Sequence, residues 1–268
     1  MTDAIVARGE LARLPKLVSE RAVIGTISVV LGIVLWELSG RLKLVSPVLL
    51  SSPSVILRAF ARLTASGELQ KHLLVSGKEF AVGLVLAIVV GLPTSIVAGW
   101  YRRAGWVLQP LIAALYAAPT IALFPLIIIF VGIGFWDKVL LVSISGFLQI
   151  FIATSAGIRA TERKWVRLAH SFRASQRKLF WSIVLPSALP YILLGLRLAV
   201  GRCVVNVVVA EMLAAEAGVG YMIAYYGNTF KVAEVFVALV SVVVTGVILN
   251  QLLLMVEQRV GRWRQTVR

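Results

Sequence analysis

The sequence is short of the groups that enzymes and metal centres use. Its 268 residues include only 12 acidic side chains, two histidines and one cysteine. His72 and His170 lack metal-ligand spacing, and the lone Cys203 excludes an intramolecular disulfide. No Ser/His/Asp set, His-Glu metal motif or GxxxxGK[ST] phosphate loop is present. We therefore predict no catalytic residue, no bound metal or cofactor, and no ATP site within this chain.

Apolar residues are abundant instead. They make up 59% of the chain against 15% charged residues, and the mean hydropathy is +0.92. Soluble domains are closer to half apolar and a quarter charged, so this composition favours lipid as the solvent. The formal net charge of +15 lies in segments between apolar runs, as expected for cytoplasmic loops of a membrane protein. It therefore does not indicate nucleic-acid binding.

Six apolar runs are long enough to cross a bilayer. They predict an all-α integral membrane protein with spans at about 22–40, 80–100, 106–133, 138–156, 188–214 and 235–256. No small-x-small cleavage site closes the first run cleanly, so we interpret it as a retained span. The chain is then one membrane domain, residues 22–256, between tails 1–21 and 257–268.

The third run, 106–133, is longer than one span needs and contains three prolines, Pro110, Pro119 and Pro125. Proline removes a backbone donor, and irregular backbone in a membrane must lie against protein or a cavity. The run predicts either one kinked span or a span with a broken, partly re-entrant piece.

Lysine and arginine are more frequent in the two tails, at 102–103 and in 159–178 than in the alternate connections. This bias places both termini in the cytoplasm. Segment 41–79 is basic and is predicted outside. It contains an amphipathic surface helix with apolar and basic positions interleaved: Val55, Leu57, Arg58, Phe60, Arg62 and Leu63.

A cationic insert, residues 157–186, separates the fourth and fifth spans. Apolar residues recur at helical spacing over 165–172, and a break follows near Arg173. Ser175 can then cap a second short helix, which Pro186 ends or kinks. The residues alone allow two interpretations: a basic loop on lipid phosphates, or a docking element that offers an apolar stripe to a partner's groove.

This insert resembles the EAA loop of permease subunits in bacterial ATP-binding-cassette importers. Ile183-x-Leu185-Pro186 matches the end of that pattern, and the last alanine of Glu-Ala-Ala falls on Ala169. Arg173 stands where the family has glycine. Four other stretches resemble the family in order and spacing: SPVLLSSPSVI (46–56), APTIALFPLIIIFVGIG (118–134), LPSALPYILLGLRLAVGR (185–202) and VVVAEMLAAEAGVGYMI (207–223).

The last two stretches are similar to the branch that imports nitrate, taurine and aliphatic sulfonates, whereas SGKEFAVG (76–83) departs from it at Gly77 and Glu79. The resemblance implies a type I importer permease, or MetI-like, fold in a bacterial inner membrane. It also implies a homodimer, two cytoplasmic ATPase subunits, a periplasmic or lipid-anchored solute-binding protein, and a small anionic solute. The residues expected to couple to the ATPase are Arg167, Leu168, Ala169, His170, Phe172, Arg173, Ala174, Ser175 and Leu179.

Polar groups inside spans usually face a bundle interior or a water path. Arg202 and Asn206 are four residues apart and share a helix face, where they can line a path for an oxyanion; alternatively, Arg202 pairs with a carbonyl or another helix. Pro119 and Pro125 mark a broken segment near the path, and Glu211 is expected to anchor the outer end of the fifth span. The candidate pathway residues are Pro119, Pro125, Arg202, Asn206 and Glu211.

Other interpretations remain at this point. One is a related permease for methionine or osmoprotectants. Another is an ion-driven secondary transporter, a class that often has inverted repeats and paired broken helices, whereas only one broken segment is evident. A membrane enzyme is disfavoured because the chain has few catalytic groups.

Overall fold

The computed structural model describes residues 14–42, 44, 46 and 49–265, which form helices and turns without a strand. The predicted all-α class is confirmed. The α-helices are α1 (Leu14–Arg41), α2 (Pro53–Ala65), α3 (Glu68–Trp100), α4 (Arg102–Ala117), α5 (Phe124–Val131), α6 (Trp136–Arg159), α7 (Arg163–Ser171), α8 (Gln176–Leu179), α9 (Leu185–Ala214), α10 (Val219–Asn228) and α11 (Val232–Gln265). A 3₁₀ turn, Thr120–Leu123, precedes α5, and a π-helical turn, Phe180–Val184, joins α8 to α9.

Five helical segments in the described part of the chain are long and apolar enough to cross a membrane, and α4 with α5 can supply a sixth span. Helix α3 begins at Glu68, well before residue 80, where the second predicted span begins. The tail boundaries predicted at residues 21 and 257 fall within α1 and α11. Residues 1–13 and 266–268 of the two predicted tails lie outside the described residues.

The third apolar run is broken. Helix α4 and the segment Thr120–Val131 meet at an angle of 93°. Ala118, which precedes Pro119, is extended at φ −79° and ψ 138°, the conformation that a following proline favours. The bend places the 3₁₀ turn against α6 and α9, so irregular backbone lies against protein there.

Helix α6 is the centre of the bundle and packs most extensively against α3 and α9. Glycines allow the close approach. A Cβ on Gly83 would lie 2.6 Å from Val142 Cγ1, and a Cβ on Gly157 would lie 2.3 Å from Tyr191 Cβ. Small residues at such contacts let transmembrane helices pack closely.

The two ends of the bundle differ. At what we call the basic end, α7 and α8 are held by an apolar cluster that includes Ile158, Ala169, Leu179 and Val184, with Trp100 packed beside it. At the opposite end, α2, the start of α3, α10 and α11 share a second cluster. Its buried members are Ala59, Leu63, Leu69, Val219, Met222, Tyr226, Val237 and Ala238.

Candidate solute pathway and coupling loop

The broken segment forms one wall of a cavity of about 410 Å³. Helices α6 and α9 form the other walls. The lining residues are Tyr116, Ala117, Ala118, Pro119, Thr120, Ile121, Ser145, Leu148, Gln149, Arg202, Val205, Asn206 and Val209. Three of the five predicted pathway residues, Pro119, Arg202 and Asn206, therefore border one space.

Helix α9 presents Arg202 and Asn206 to this cavity because residues four apart share a helix face. The Asn206 amide Nδ2 donates to the Arg202 carbonyl oxygen at 3.0 Å, and Asn206 is buried. On α6, Ser145 and Gln149 are likewise four residues apart. The cavity thus combines one cation with neutral hydrogen-bonding side chains on two helices.

Among the described side chains that line this cavity, Arg202 carries the only formal charge. Within the described residues, its guanidinium has no hydrogen-bond or ion-pair partner. The pairing to another helix that the sequence also allowed is thus not found in the described structure. Because an unpaired cation is costly in lipid, this guanidinium is suited to water or to an anionic ligand.

Pro125 and Glu211 lie elsewhere. Pro125 is exposed near the start of α5, outside the cavity. Glu211 is buried at the opposite end of the bundle, where its Oε2 accepts from the Gly220 amide at 2.7 Å. The structure therefore places these two predicted pathway residues away from the cavity.

The amides of Gly218, Val219 and Gly220 at the start of α10 are bound by side chains of other helices. The Gly218 amide donates to His72 Nδ1 at 2.9 Å, and the Val219 amide donates to Ser76 Oγ at 2.8 Å. Glu211 takes the third amide, which places a carboxylate at a helix N-terminus. The segment 218–220 is thus a docking point for α3 and α9.

A cluster of buried polar side chains lies next to this docking point. Lys138 Nζ donates to the Asp137 carboxylate at 3.1 and 3.2 Å and to the Gly134 carbonyl at 2.6 Å. Glu79 lies near both Lys138 and Glu211, and all four side chains are buried. Lys138, the only cation of the group, thus pairs with Asp137 and ties the turn after α5 to α6.

The predicted coupling loop contains two faces. Ala169 and Leu179 are buried in the cluster at the basic end, so they hold the loop in place. Trp165, Leu168 and Phe172 lie at helical spacing and are 47%, 47% and 78% exposed. Arg167, His170 and Ser175 are also exposed, and Ala174 is half-buried. The exposed apolar stripe has no cover in the described chain.

The turn between α7 and α8 has left-handed backbone. The Arg173 amide donates to the His170 carbonyl at 2.9 Å, the Ala174 amide donates to the Ala169 carbonyl at 3.0 Å, and Arg173 has φ 50°. Such closures of a helix C-terminus usually have glycine in the left-handed position. Ser175 Oγ then accepts from the Lys178 amide at 3.3 Å and caps α8, as the sequence predicts.

Sequence reasoning missed several cavity residues: Tyr116, Thr120, Ser145 and Gln149. A signal for two of them was present, because Ser145 and Gln149 are polar residues four apart in an apolar span. The contact of His72 was also missed: this side chain lies in α3 and faces α10. Its partner is far away in the sequence, so no local pattern indicates the contact.

Comparison with known families identifies the class of protein. The family described as "Binding-protein-dependent transport system inner membrane component" matches residues 83–262. The chain belongs to this family. Its membership and its apolar helices define a multi-pass membrane protein, a permease subunit of an ATP-binding-cassette importer.

Individual relatives agree with this class. The chain is 32% identical to an aliphatic sulfonates transport permease, SsuC of Bacillus subtilis (strain 168), over 87% of its length and 85% of the relative. It is 30% identical to the taurine transport permease TauC of Escherichia coli (strain K12), over 91% and 90%. A chain of the MetNI methionine ABC transporter, in an inward-facing conformation, matches in fold with a TM-score of 0.60 at 17% identity, over 72% of this chain and 94% of that chain.

Proposed function

We propose that this permease subunit moves an aliphatic sulfonate through the cavity beside Arg202. The observation that carries the proposal is the Arg202 guanidinium, which has no partner among the described residues and lies in that cavity with uncharged hydrogen-bonding side chains. A sulfonate carries one negative charge and three acceptor oxygens, and arginine offers several donors in a fixed plane. The relative named for aliphatic sulfonates supports this solute class, and the relative named for taurine supports a solute with a sulfonate group.

The uncharged residues that line the cavity narrow the range of suitable solutes further. No acidic side chain is present among its described lining residues, so a bound ammonium group would find no carboxylate there. This favours a simple alkanesulfonate over a zwitterionic amino sulfonate or amino acid. It also makes the methionine and osmoprotectant alternatives less suitable. A single cation suits transport, because a solute on a pathway must leave as well as bind.

The proposed assembly has two copies of this chain, two cytoplasmic ATPase subunits and a periplasmic or lipid-anchored solute-binding protein. The exposed stripe Trp165, Leu168 and Phe172 supports docking of α7 to an ATPase, since an amphipathic helix fits a hydrophobic groove. The basic end would face the cytoplasm with both termini. ATP and the loaded binding protein would each favour a different state of the pathway.

Substitution of Arg202 tests the proposal. The full transporter is reconstituted in vesicles, and ATP-driven uptake of labelled ethanesulfonate is measured. We expect Arg202→Gln to lower uptake at least about tenfold, because a hydrogen bond to a charged group contributes about 1.5–3 kcal/mol. Arg202→Lys retains the charge and should keep part of the activity.

The matched control is Arg58→Gln, which removes an exposed cation on α2, away from the cavity. Its uptake should match that of the parent chain. Unchanged ethanesulfonate uptake by Arg202→Gln would contradict the proposed solute path.

A further inference from the structure

A second cavity adjoins the first on the side of the basic end. It measures about 390 Å³ and lies between α4 and α6. Tyr116 and Ala117 line both cavities. The other residues of the second cavity are Gln109, Ile112, Ala113, Phe151, Ile152, Ser155, Ala156 and Arg159. A solute that leaves the first cavity past Tyr116 would therefore enter this space.

Arg159 is the only formally charged side chain among the described residues that line the second cavity. Its Nη2 donates to Ser155 Oγ at 3.2 Å. The Gln109 amide lies against the same guanidinium, and its oxygen accepts from Arg159 when the amide is oriented to satisfy the hydrogen bonds around it. No carboxylate lies within ion-pair distance of it in the part of the chain that the structure describes. Neutral partners thus hold the guanidinium in place without cancelling its charge.

Arg159 is the last residue of α6, where a positive charge is favourable at the helix C-terminus, and its exposed side chain lines the second cavity. Ser155 lies one turn back on the same helix, and Gln109 is on α4 across the cavity, so both keep the head group at the cavity wall. Each cavity therefore has one arginine and uncharged hydrogen-bonding side chains.

We infer that Arg159, Gln109 and Ser155 form a second anion site, which takes a sulfonate after it leaves the cavity at Arg202. The inference rests on the proposed function, since it concerns the same solute. Several weak sites in sequence let a solute enter and still leave, because no single site holds it tightly.

Cysteine labelling tests this site in the full chain in membrane vesicles. Ala113→Cys places a thiol in the second cavity and Ala118→Cys one in the first. Labelling rates are compared for a methanethiosulfonate that carries a sulfonate and one that carries a trimethylammonium group. The native Cys203 is buried, and the parent chain gives its background. Val107→Cys is the control, because Val107 is exposed on α4 and lines neither cavity.

We expect Arg159→Gln to lower the anionic-to-cationic rate ratio at Ala113→Cys about tenfold, since focused charge changes local ion concentration by that order or more. Arg159→Lys should retain the ratio and shows that the effect is not misfolding. Ethanesulfonate should slow labelling of Ala113→Cys in the chain with Arg159 and not in Arg159→Gln. The Val107→Cys ratio should not respond.

The outcomes separate this inference from the proposed function. Protection of Ala118→Cys without protection of Ala113→Cys would overturn the second site and leave the Arg202 path intact. Protection at neither position would contradict both. Protection at Ala113→Cys in phosphatidylcholine vesicles that disappears in phosphatidylglycerol vesicles would assign Arg159 to a lipid phosphate and would also overturn the inference.

Discussion

Arg173 occupies a left-handed position of the backbone, a conformation that glycine adopts at least cost. At φ 50° an L side chain costs roughly 1 kcal/mol more than glycine. We predict that Arg173→Gly raises the stability of the chain by about 1 kcal/mol, seen as a higher thermal unfolding midpoint in detergent. Binding of the ATPase should stay the same if strain is the only effect of the arginine.

Arg173→Ala is the control for a direct contact. It removes the guanidinium but keeps the Cβ, so it should not gain stability. If Arg173→Gly and Arg173→Ala weaken ATPase binding equally, the side chain contacts the partner, and the strain explanation would be insufficient.

Gly218 is a second residue with left-handed backbone, and its lack of a side chain allows close contact with Glu211. It has φ 118°, and a Cβ there would lie 2.3 Å from Glu211 Cδ. We predict that Gly218→Ala destabilises the chain by at least about 1–3 kcal/mol, because backbone strain adds to the displacement of Glu211. The measurement is thermal unfolding of the purified chain.

Gly227→Ala is the matched control. Gly227 lies in α10, and no neighbouring atom comes within 4 Å of the place that an alanine Cβ would take. Alanine should therefore be neutral or slightly stabilising there. Equal unfolding midpoints for Gly218→Ala and Gly227→Ala would contradict the role of Gly218 in docking α10.

Residue roles of this kind were only partly predictable. Ser175 as a cap follows from local spacing, and the structure contains that bond. The bonds to the amides of Gly218, Val219 and Gly220 could not be predicted, because the side chains that bind them come from α3 and α9. Likewise, Lys138 falls at the start of a predicted span, but its burial depends on Asp137, Glu79 and Glu211 meeting there.

At the scale of elements, α7 provides a test of docking. Phe172 is 78% exposed, so its loss should leave the fold intact. We predict that Phe172→Ser weakens binding of the ATPase at least about tenfold, because an exposed aromatic ring that becomes buried in a partner contributes a large apolar area. Pull-down of the ATPase with titrated permease measures this effect.

Phe130→Ser is the comparison variant, since Phe130 is 83% exposed on α5, away from α7. Its ATPase binding should match that of the parent chain. Normal ATPase binding by Phe172→Ser would exclude the exposed stripe as the docking surface.

The long helices were predictable because lipid demands long apolar runs, yet their bounds were not. Residues 68–79 of α3 include Glu68, Lys71, His72, Lys78 and Glu79, which lower the local hydropathy. Several side chains of this segment are used in hydrogen bonds to other helices, so the helix extends through them. The sequence also left open whether 106–133 is kinked or broken, since prolines favour both. In the structure the segment bends by 93°, and the bend is accompanied by contacts with α6 and α9, which no local pattern indicates.

Over the whole molecule, three features lie in order along the bundle. At the end opposite the basic end, side chains of other helices hold α10. Two adjoining cavities, each lined by one arginine, lie beside α4 and the broken segment. An exposed apolar stripe lies at the basic end. A permease that alternates between states can use this order, because each end would bind a different partner and the cavities lie between them. The class of protein was predictable from motifs in series, whereas the cavities required the packing of α4, α6 and α9.

The most direct test of the central claim is ATP-driven uptake of labelled ethanesulfonate by vesicles that contain this chain, its ATPase and its binding protein. We predict uptake that requires ATP and both partners and that falls with Arg202→Gln. Uptake by this chain alone, driven by an ion gradient without ATP, would contradict that claim.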